Sequence, residues 1–217
     1  MDRKPEPEWM DDPEEARAYA EADFAEVNAA FVTRLLEVAP GPSAIRTLDL
    51  GCGPGDIALR VRQARPGWDV VGLDASAAML RHARKNAGPD IAPHWVIADA
   101  RGVPFPDHTF SLVFSNSILH HVAEPAELWS EVRRLAKPGT PIFFRDLMRP
   151  ASEAEAHRLV QQYAGKESAL LQEEFYRSFL AAYTVKEVWQ QLVDSGLGTL
   201  RVAAATDRHL DIWGLAV

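Results

Sequence analysis

The sequence predicts an α/β fold in which helices cover both faces of a mainly parallel β-sheet. Two observations carry this prediction. Short apolar runs such as Asp69–Asp74 have the composition of strands that are buried on both faces, as the strands of a parallel sheet are. Amphipathic segments alternate with these runs and carry apolar residues every three or four positions, which is the pattern of strand–helix–strand units.

The first of these units is also the most informative stretch of the chain. Thr47–Leu59 reads TLDLGCGPGDIAL and predicts a strand, a tight glycine turn and a helix. Gly51, Gly53 and Gly55 let the backbone turn sharply and let a ligand approach where a Cβ would clash. The start of the helix offers free backbone N–H groups to the polar end of a ligand. A purely structural turn is the alternative, because a lone glycine motif is a weak signal.

The spacing of the glycines and the neighbouring acids separate two cofactor classes. Dinucleotide-binding folds prefer G-x-G-x-x-G, whereas Asp56 occupies the third glycine position here. Asp49 lies at the end of the strand, where an acid would repel a pyrophosphate. S-adenosylmethionine carries an amino group, a carboxylate and a sulfonium, which suit acids beside free N–H groups. The turn therefore favours S-adenosylmethionine over a nicotinamide dinucleotide.

Composition limits the partners of the chain. Its 217 residues are 47% hydrophobic and 25% charged, values typical of one globular domain. A formal net charge of -8 argues against general binding of nucleic acid, which needs a basic surface. Cys52 is the single cysteine, so neither an intramolecular disulfide nor a cysteine metal cluster can form. No secretory signal or membrane span is apparent, and we expect a cytoplasmic protein without membrane contact.

The N-terminal part predicts two helices. The run Asp12–Glu15 reads DPEE and combines an N-cap, a proline at the first helical position and acids in the first turn. Apolar residues recur at steps of three or four between Phe24 and Val38 and predict the second helix. Tyr19, Phe24 and Asn28 could face a ligand. The alternative is that Phe24 belongs to the core face of its helix.

The second strand, Asp69–Asp74, ends on an acid a little over twenty residues after Gly51. In nucleotide-binding α/β folds, an acid at this place accepts hydrogen bonds from ribose hydroxyl groups, and we expect this role for Asp74. An ordinary role in a turn or a helix cap is the alternative. Ser76 then caps the next helix, which turns Met79 inward.

Two further strands are predicted at His94–Ala98 and Phe110–Ser115. Asn116, His120 and His121 follow the fourth strand, at the edge where open α/β sheets bind their ligands. We expect one histidine to contact the cofactor or act as a base and the other to pack. A metal site is not expected, because side chains of sequence neighbours point in different directions and no matching ligand cluster lies nearby in the sequence.

From Ile45 to about Asp146 the sequence resembles the class I S-adenosylmethionine-dependent methyltransferases. The stretch Thr47–Leu59 resembles their first motif, IADARGVPFPDHTFSLVFS has the order typical of that class, and SNSILHHVAEP is similar to the group that includes quinone-biosynthesis enzymes. The resemblance implies a Rossmann-like, doubly wound sheet of seven strands with an antiparallel last strand and a helical cap over the site. It also implies that Asp99 receives the adenine amino group.

These motifs and the resemblance yield two groups of candidate site residues. The candidate catalytic residues are His121 and Tyr176. The cofactor, S-adenosylmethionine, is expected to contact Tyr19, Asp49, Gly51, Gly53, Gly55, Asp74, Ala75, Met79, Asp99, Ala100 and Asn116. No metal ligand is predicted.

Later residues complete the sheet and cover it. Thr140–Asp146 predicts the fifth strand, and Arg145 and Arg149 are expected near the mouth of the site. For these arginines we favour solvent-exposed salt bridges over substrate binding. Residues 151–183 are helical in composition. In the class that the sequence resembles, such an insertion commonly covers the acceptor pocket, although a dimerisation surface is the alternative.

The last part of the chain predicts a helix and two strands. Thr184 and Glu187 form a capping-box pattern at the start of the helix. An antiparallel pair of strands is predicted at Thr199–Ala205 and His209–Val217, where apolar residues alternate with polar ones or follow one another.

We predict a single methyltransferase domain with four parts. Residues 1–42 supply N-terminal cap helices, 43–147 the cofactor-binding core, 148–183 a helical lid, and 184–217 the final helix and strand pair. The acceptor pocket is expected between the segments Tyr19–Asn28, Asn116–His121, Arg145–Arg149 and the lid.

The predicted reaction is a single in-line methyl transfer to a small organic acceptor, catalysed by a monomer or a homodimer. An Asn-Pro-Pro-aromatic motif, used for amide and nucleobase amines, is replaced by residues 115–118, SNSI. The single cysteine argues against arsenite as the acceptor. Oxygen, carbon, nitrogen and sulfur acceptors stay open. The alternatives are a non-catalytic regulatory subunit that binds S-adenosylmethionine and a nicotinamide-dependent oxidoreductase, which the glycine spacing disfavours.

Overall fold

A seven-stranded sheet forms the centre of the structure, a computed structural model that describes residues 1–6, 10–42, 44–88 and 92–217. From one edge to the other, the strands lie in the order third, second, first, fourth, fifth, seventh, sixth. They are β1 (Arg46–Leu50), β2 (Asp69–Asp74), β3 (His94–Ile97), β4 (Leu112–Asn116), β5 (Pro141–Leu147), β6 (Arg201–Ala204) and β7 (His209–Leu215).

Helices cover both faces of this sheet. They are α1 (Pro13–Glu21), α2 (Ala25–Val38), α3 (Asp56–Ala64), α4 (Ala77–Asn86), α5 (Pro125–Leu135), α6 (Glu153–Ala164), α7 (Ala169–Ala181) and α8 (Val185–Asp194), with a short 3-10 helix at Leu119–His121. Among the described residues, the helices are too short or too polar for any of them to cross a lipid bilayer.

The pairing of the strands confirms the predicted doubly wound sheet with an antiparallel end. Strands β1 to β5 pair in parallel, and β7 pairs antiparallel with both β5 and β6. Strand β7 therefore lies between β5 and the edge strand β6. The edges of the sheet are the four-residue strands β3 and β6, which agrees with the usual shortness of exposed edge strands.

The apolar runs of the strands bury side chains on both faces. On one face, Leu48 and Val113 belong to a cluster that includes Trp129 of α5 and Leu192 of α8. On the other face, Phe114 and Phe143 pack with residues of α2 and α3. This two-sided burial is why the strands read as continuous apolar runs in the sequence.

Some element bounds differ from the predicted ones. Strand β4 begins at Leu112, because Phe110 forms only an isolated bridge with Ala136. The predicted helix starts agree closely with the structure: Asp12 caps α1, and Thr184 and Glu187 form the capping box of α8.

Helices α6 and α7 form the cap over one end of the sheet. They pack against each other and bury Leu159, Val160 and Phe179 in a small cluster of their own, which contacts Leu147 at the end of β5. Helix α1 closes the neighbouring side by packing on α4 and α7. The cap therefore stands over the carboxyl ends of the parallel strands.

Candidate cofactor and acceptor site

A cavity of about 850 Å³ lies between the carboxyl ends of the strands and the helical cap. The glycine turn, the ends of β2 and β4 and the α1–α2 connection line one part of it, and α6 and α7 face them. The predicted site residues that line it are Tyr19, Gly51, Gly53, Asp74, Ala75, Met79, Asp99, Ala100, Asn116 and His121. The fold thus gathers most of the candidate residues around one space.

Glycine serves different structural purposes at the three positions of the turn. Gly51 and Gly55 adopt φ angles of +74° and +84°, and a Cβ would meet Ile118 at 2.7 Å or Trp95 at 2.6 Å. At Gly53 a Cβ would meet no atom within 4 Å, so this backbone borders open space. Gly53 therefore offers the close approach that a ligand needs, whereas Gly51 and Gly55 serve the shape and packing of the turn. Gly55 does not line the large cavity.

Asp74 is held in a fixed position at the end of β2. Its Oδ2 accepts a hydrogen bond from the Gly53 amide and its Oδ1 accepts one from the Ser76 amide, both at 2.8 Å. Burial raises the pKa of Asp74, and the two backbone N–H groups oppose that rise. Because each oxygen has further lone pairs, the carboxylate can still accept hydrogen bonds from hydroxyl groups in the cavity.

Asp49 is a buried acid with an unsatisfied oxygen. Its relative exposure is 1%, and its Oδ2 has no hydrogen-bond partner within the described part of the chain. Burial and the nearby Asp74 raise the pKa of Asp49 well above its usual value, although the Ala58 amide opposes the shift. Asp49 borders a smaller cavity of about 230 Å³, which shares Gly51 and Gly53 with the large one. An acid in this state suits a cationic ligand group.

Asp56 is already paired, unlike Asp49. It accepts hydrogen bonds from Asn28 Nδ2 at 2.8 Å and from Arg60 Nε at 2.6 Å. Asn28 therefore fixes α2 against the start of α3. The acid beside the turn that is suited to a ligand is Asp49.

The substitution Asp49→Asn should make the ligand-free protein more stable at neutral pH. The pKa of Asp49 is higher in the folded state than in the unfolded state, where it is about 4. Asp49 therefore contributes its full stabilisation below about pH 4, and this contribution is lost as the pH rises through the folded-state pKa. Asparagine does not titrate, so we expect similar unfolding temperatures for both proteins at pH 4 and a higher one for the variant at pH 8. Thermal unfolding at the two pH values checks this. An equal difference at both pH values would contradict it.

Asp99 borders the cavity, but its carboxylate already accepts hydrogen bonds from Arg101. Arg101 donates to its two oxygens from Nε at 3.0 Å and from Nη2 at 2.7 Å, and the Arg101 amide donates at 2.8 Å. The Arg101 side chain lowers the pKa of Asp99. Asp99 is thus ionised and has lone pairs left for a donor on a ligand, and its adenine-binding role stays a prediction.

Tyr19 and Phe24 form an aromatic wall of the cavity. Their ring centroids lie 4.9 Å apart, and both rings border the cavity. Burial raises the pKa of Tyr19 to about 12, so its hydroxyl is neutral. The core face of α2 is formed instead by Phe31, Val32 and Leu35. The ligand-facing alternative for Phe24 therefore agrees with the structure better than the core alternative.

The two adjacent histidines do not diverge as expected. Their ring centroids lie only 4.2 Å apart, and both rings border the cavity. His120 Nδ1 lies 2.6 Å from Asp146 Oδ1, and His121 Nδ1 lies 3.2 Å from Glu6 Oε1. Burial lowers the pKa of His120, but Asp146 and Glu6 outweigh burial and leave it raised. The 3-10 turn at Leu119–His121 is what brings the rings together.

The expectation of solvent-exposed salt bridges is wrong for Arg145, whose ion pair with Asp211 is buried on both sides; in the pair of Arg149 with Glu187 the arginine is buried but the glutamate side chain is 41% exposed. Arg145 donates to both oxygens of Asp211 on β7, at 2.7 and 2.8 Å, and only 10% of its side chain is exposed. Arg149 Nη2 lies 2.6 Å from Glu187, and its side chain is 8% exposed. Both arginines hold the end of β5 to later elements.

Tyr176 lies away from the cavity. Its ring stacks on His157 at a centroid distance of 4.2 Å, whereas its neighbour Phe175 borders the cavity. Tyr176 is not among the residues that line the cavity, and its catalytic role stays a prediction.

Sequence reasoning missed several cavity residues. Glu6 reaches the histidines from the N-terminal segment, and Arg208 and His209 border the cavity from the β6–β7 turn. Burial lowers the pKa of His209 to about 4, so it is neutral at physiological pH. The alternating pattern of the last strands gave no sign that their turn would face the site. A single acidic residue such as Glu6 does not indicate a site from its charge alone.

Comparison with known proteins finds similarity concentrated in the core of the fold. The model of a family described as a methyltransferase domain matches residues 48–144. The ubiquinone/menaquinone biosynthesis C-methyltransferase UbiE of Desulfotalea psychrophila is 38% identical over 111 residues, which are 51% of this chain and 44% of that protein. The malonyl-[acyl-carrier protein] O-methyltransferase of Erwinia pyrifoliae is 36% identical over 132 residues, 61% of this chain and 48% of that protein.

The chain thus spans a little under half the length of these two curated relatives. Structural similarity extends further. The crystal structure of a SAM-dependent methyltransferase from Aquifex aeolicus superposes with a TM-score of 0.69 and covers 95% of this chain and 99% of that one, at 18% identity. At this level of identity, the similarity concerns the fold alone.

Proposed function

We propose that the protein transfers a methyl group from S-adenosylmethionine to a small organic acceptor, since the model of a methyltransferase-domain family matches residues 48–144. The observation that carries the proposal is the position of Asp74. It is a half-buried carboxylate at the end of β2, fixed by the Gly53 and Ser76 amides and bordering the cavity beside the open backbone of Gly53. The relatives are named as methyltransferases, and the proposal assigns the same activity to the whole of this chain.

The residues present fit the cofactor. Asp74 would accept hydrogen bonds from the ribose hydroxyls, and Asp49, with its unsatisfied oxygen, would neutralise the amino group. Gly53 leaves room for the backbone to approach the ligand closely. Asp99 and Ala100 would border the adenine. When bound, S-adenosylmethionine supplies a methyl group on a sulfonium, which is a good leaving group.

The chain's own residues then have two tasks, alignment and exclusion of water. Tyr19 and Phe24 on one side and Leu171 and Phe175 on the other give the cavity apolar walls. A wall of this kind holds a small acceptor against the cofactor and removes water from between them. Proximity and orientation of this kind can supply roughly 7–11 kcal/mol of the barrier reduction. A general base is needed only where the acceptor must lose a proton.

The net charge of the chain and the volume of the cavity limit the kind of acceptor. With a formal net charge of -8, the chain offers little general attraction to nucleic acid, which supports a small molecule as the acceptor. The cavity of about 850 Å³ is large enough for the cofactor and a small second ligand. The names of the relatives include both C- and O-methyltransferases, so similarity does not decide the atom that is methylated.

Calorimetry with S-adenosylhomocysteine and with NAD tests the proposal. We expect S-adenosylhomocysteine to bind at one site per chain and NAD to show no measurable binding, because the glycine spacing and Asp49 disfavour a pyrophosphate. Tight binding of NAD without binding of S-adenosylhomocysteine would overturn the assignment. Release of S-adenosylhomocysteine from S-adenosylmethionine with a panel of acceptors distinguishes an enzyme from a regulatory subunit that only binds the cofactor.

A further inference from the structure

Three side chains from two distant parts of the chain, the N-terminal segment and the 3-10 helix, meet at one wall of the cavity. Glu6 Oε1 lies 3.2 Å from His121 Nδ1 and 3.6 Å from His120 Nε2. The ligand atoms of the three residues all lie within 4.8 Å of one another. The side chains of Glu6 and His120 are only 6% and 3% exposed, and that of His121 is 21% exposed. We define these residues as the Glu6–His120–His121 cluster.

These distances match the requirements of a small divalent ion. Zinc binds histidine nitrogen and carboxylate oxygen at about 2.0–2.2 Å in tetrahedral geometry, which places neighbouring donor atoms about 3.3–3.6 Å apart. The two contacts of Glu6, at 3.2 and 3.6 Å, already have this spacing. Two histidines and one glutamate are also a donor set found in catalytic zinc sites, where a fourth position stays open.

The surroundings of the cluster orient its ligands. Asp146, itself buried, accepts at Oδ1 from His120 Nδ1 and from the Leu147 amide and at Oδ2 from the Leu119 amide. A carboxylate that binds one imidazole nitrogen leaves the other nitrogen to the metal, and this arrangement is common behind metal-binding histidines. Ser178 donates to the Glu6 carboxylate at 3.2 Å. Each of these two ligands therefore has a fixed partner behind it.

The N-terminal segment that carries Glu6 is anchored next to the cluster. Arg3 donates to the carbonyls of Ala181 at 2.6 Å and of His120 at 3.0 Å, and its guanidinium lies 4.0 Å from the centre of the Tyr183 ring. The Lys4 amide donates to the Leu180 carbonyl at 2.9 Å. These contacts tie the N-terminal segment to the end of α7 and to the 3-10 helix, so Glu6 is held at the histidines by several bonds and not by its own ion pairs alone.

We propose that the Glu6–His120–His121 cluster binds one divalent transition-metal ion, with zinc as the best fit, and presents its open position to the cavity. Both histidines border the cavity, so the fourth position faces the space assigned to the acceptor. If the proposed function holds, that position suits an acceptor that binds through an oxygen or sulfur atom. A hydroxyl or thiol bound there would be held as its anion, with the proton released to solvent.

Titration of the full-length, chelator-treated protein with ZnCl₂ tests the site. We expect one zinc ion per chain with a dissociation constant in the micromolar range or below, accompanied by release of protons. Glu6→Gln and His121→Gln each remove one ligand and should weaken binding more than about 100-fold, since even loss of an outer-shell partner costs about 10–100-fold. Neither residue belongs to the main core of the sheet, so both variants should keep the wild-type circular dichroism spectrum and unfolding temperature.

The matched control is His94→Gln. His94 also lies beside a carboxylate, at 3.3 Å from Asp69, but its side chain is 73% exposed on β3, outside the cavity. This variant should bind zinc as the wild type does. Failure of the wild type to bind zinc more tightly than millimolar would overturn the proposal, and so would unchanged binding in folded Glu6→Gln and His121→Gln. The titration uses neither cofactor nor acceptor, so such a failure leaves the test with S-adenosylhomocysteine unaffected.

Discussion

Replacing Asp74 with alanine should weaken the binding of S-adenosylhomocysteine by roughly 10- to 150-fold. The substitution removes a carboxylate that would accept hydrogen bonds from the ribose, and hydrogen bonds to a charged group are worth about 1.5–3 kcal/mol. It also leaves the Gly53 and Ser76 amides without their acceptor, which loosens the turn at the site. Folding should survive, because burial raises the pKa of Asp74 and its charge therefore does not stabilise the fold.

Asp69→Ala provides the control for this experiment. Asp69 lies at the other end of β2, where it is 44% exposed and pairs with Arg46 and His94. Calorimetry should give the Asp69 variant the affinity of the wild type. Unchanged affinity in a folded Asp74→Ala protein would show that Asp74 only shapes the turn.

Arg145→Met should lower the free energy of unfolding by about 3 kcal/mol. The Arg145–Asp211 pair joins directly opposed residues of β5 and β7, and both side chains are at least nine-tenths buried. Removing one partner of a buried ion pair commonly costs about 3–5 kcal/mol, because the remaining charge stays buried. We expect the lower end of that range, since Arg34 Nε lies 3.8 Å from Asp211 and can compensate in part.

The double variant Arg145→Met/Asp211→Leu separates the pair from its individual charges. Two apolar side chains of similar size should recover most of the lost stability, as replacement of a buried ion pair by apolar residues is often neutral or better. Urea unfolding of the wild type, the single variant and the double variant measures both effects. A double variant as unstable as the single one would mean that the cost arises from packing and not from the unpaired carboxylate.

Features set by local sequence could be predicted from the chain alone. The glycine turn and Asp74 lie within or directly after short strands, and in a parallel sheet every strand end falls on the same edge. Their position at the cavity therefore followed once the strands were recognised. The capping box at Thr184 was predictable for the same reason, because its two partners are three residues apart.

Contacts between distant segments could not be predicted. Nothing near Glu6 in the sequence indicates that it meets His121, because that contact depends on how the N-terminal segment crosses the cap. Tyr176 shows a related limit. Helix α7 carries large apolar residues on several faces, so the sequence did not reveal that Phe175, and not Tyr176, would border the cavity.

The position of β7 between β5 and β6 has a consequence for synthesis on the ribosome. Strand β5 carries the apolar run Ile142, Phe143 and Phe144, and one of its edges stays unpaired until β7 is made about 60 residues later. At roughly 5–20 residues per second, this delay is about 3–12 s. An apolar strand with a free edge can pair with other chains during that time. Nascent chains of this protein are therefore most prone to aggregate in the interval between translation of the fifth and the seventh strand.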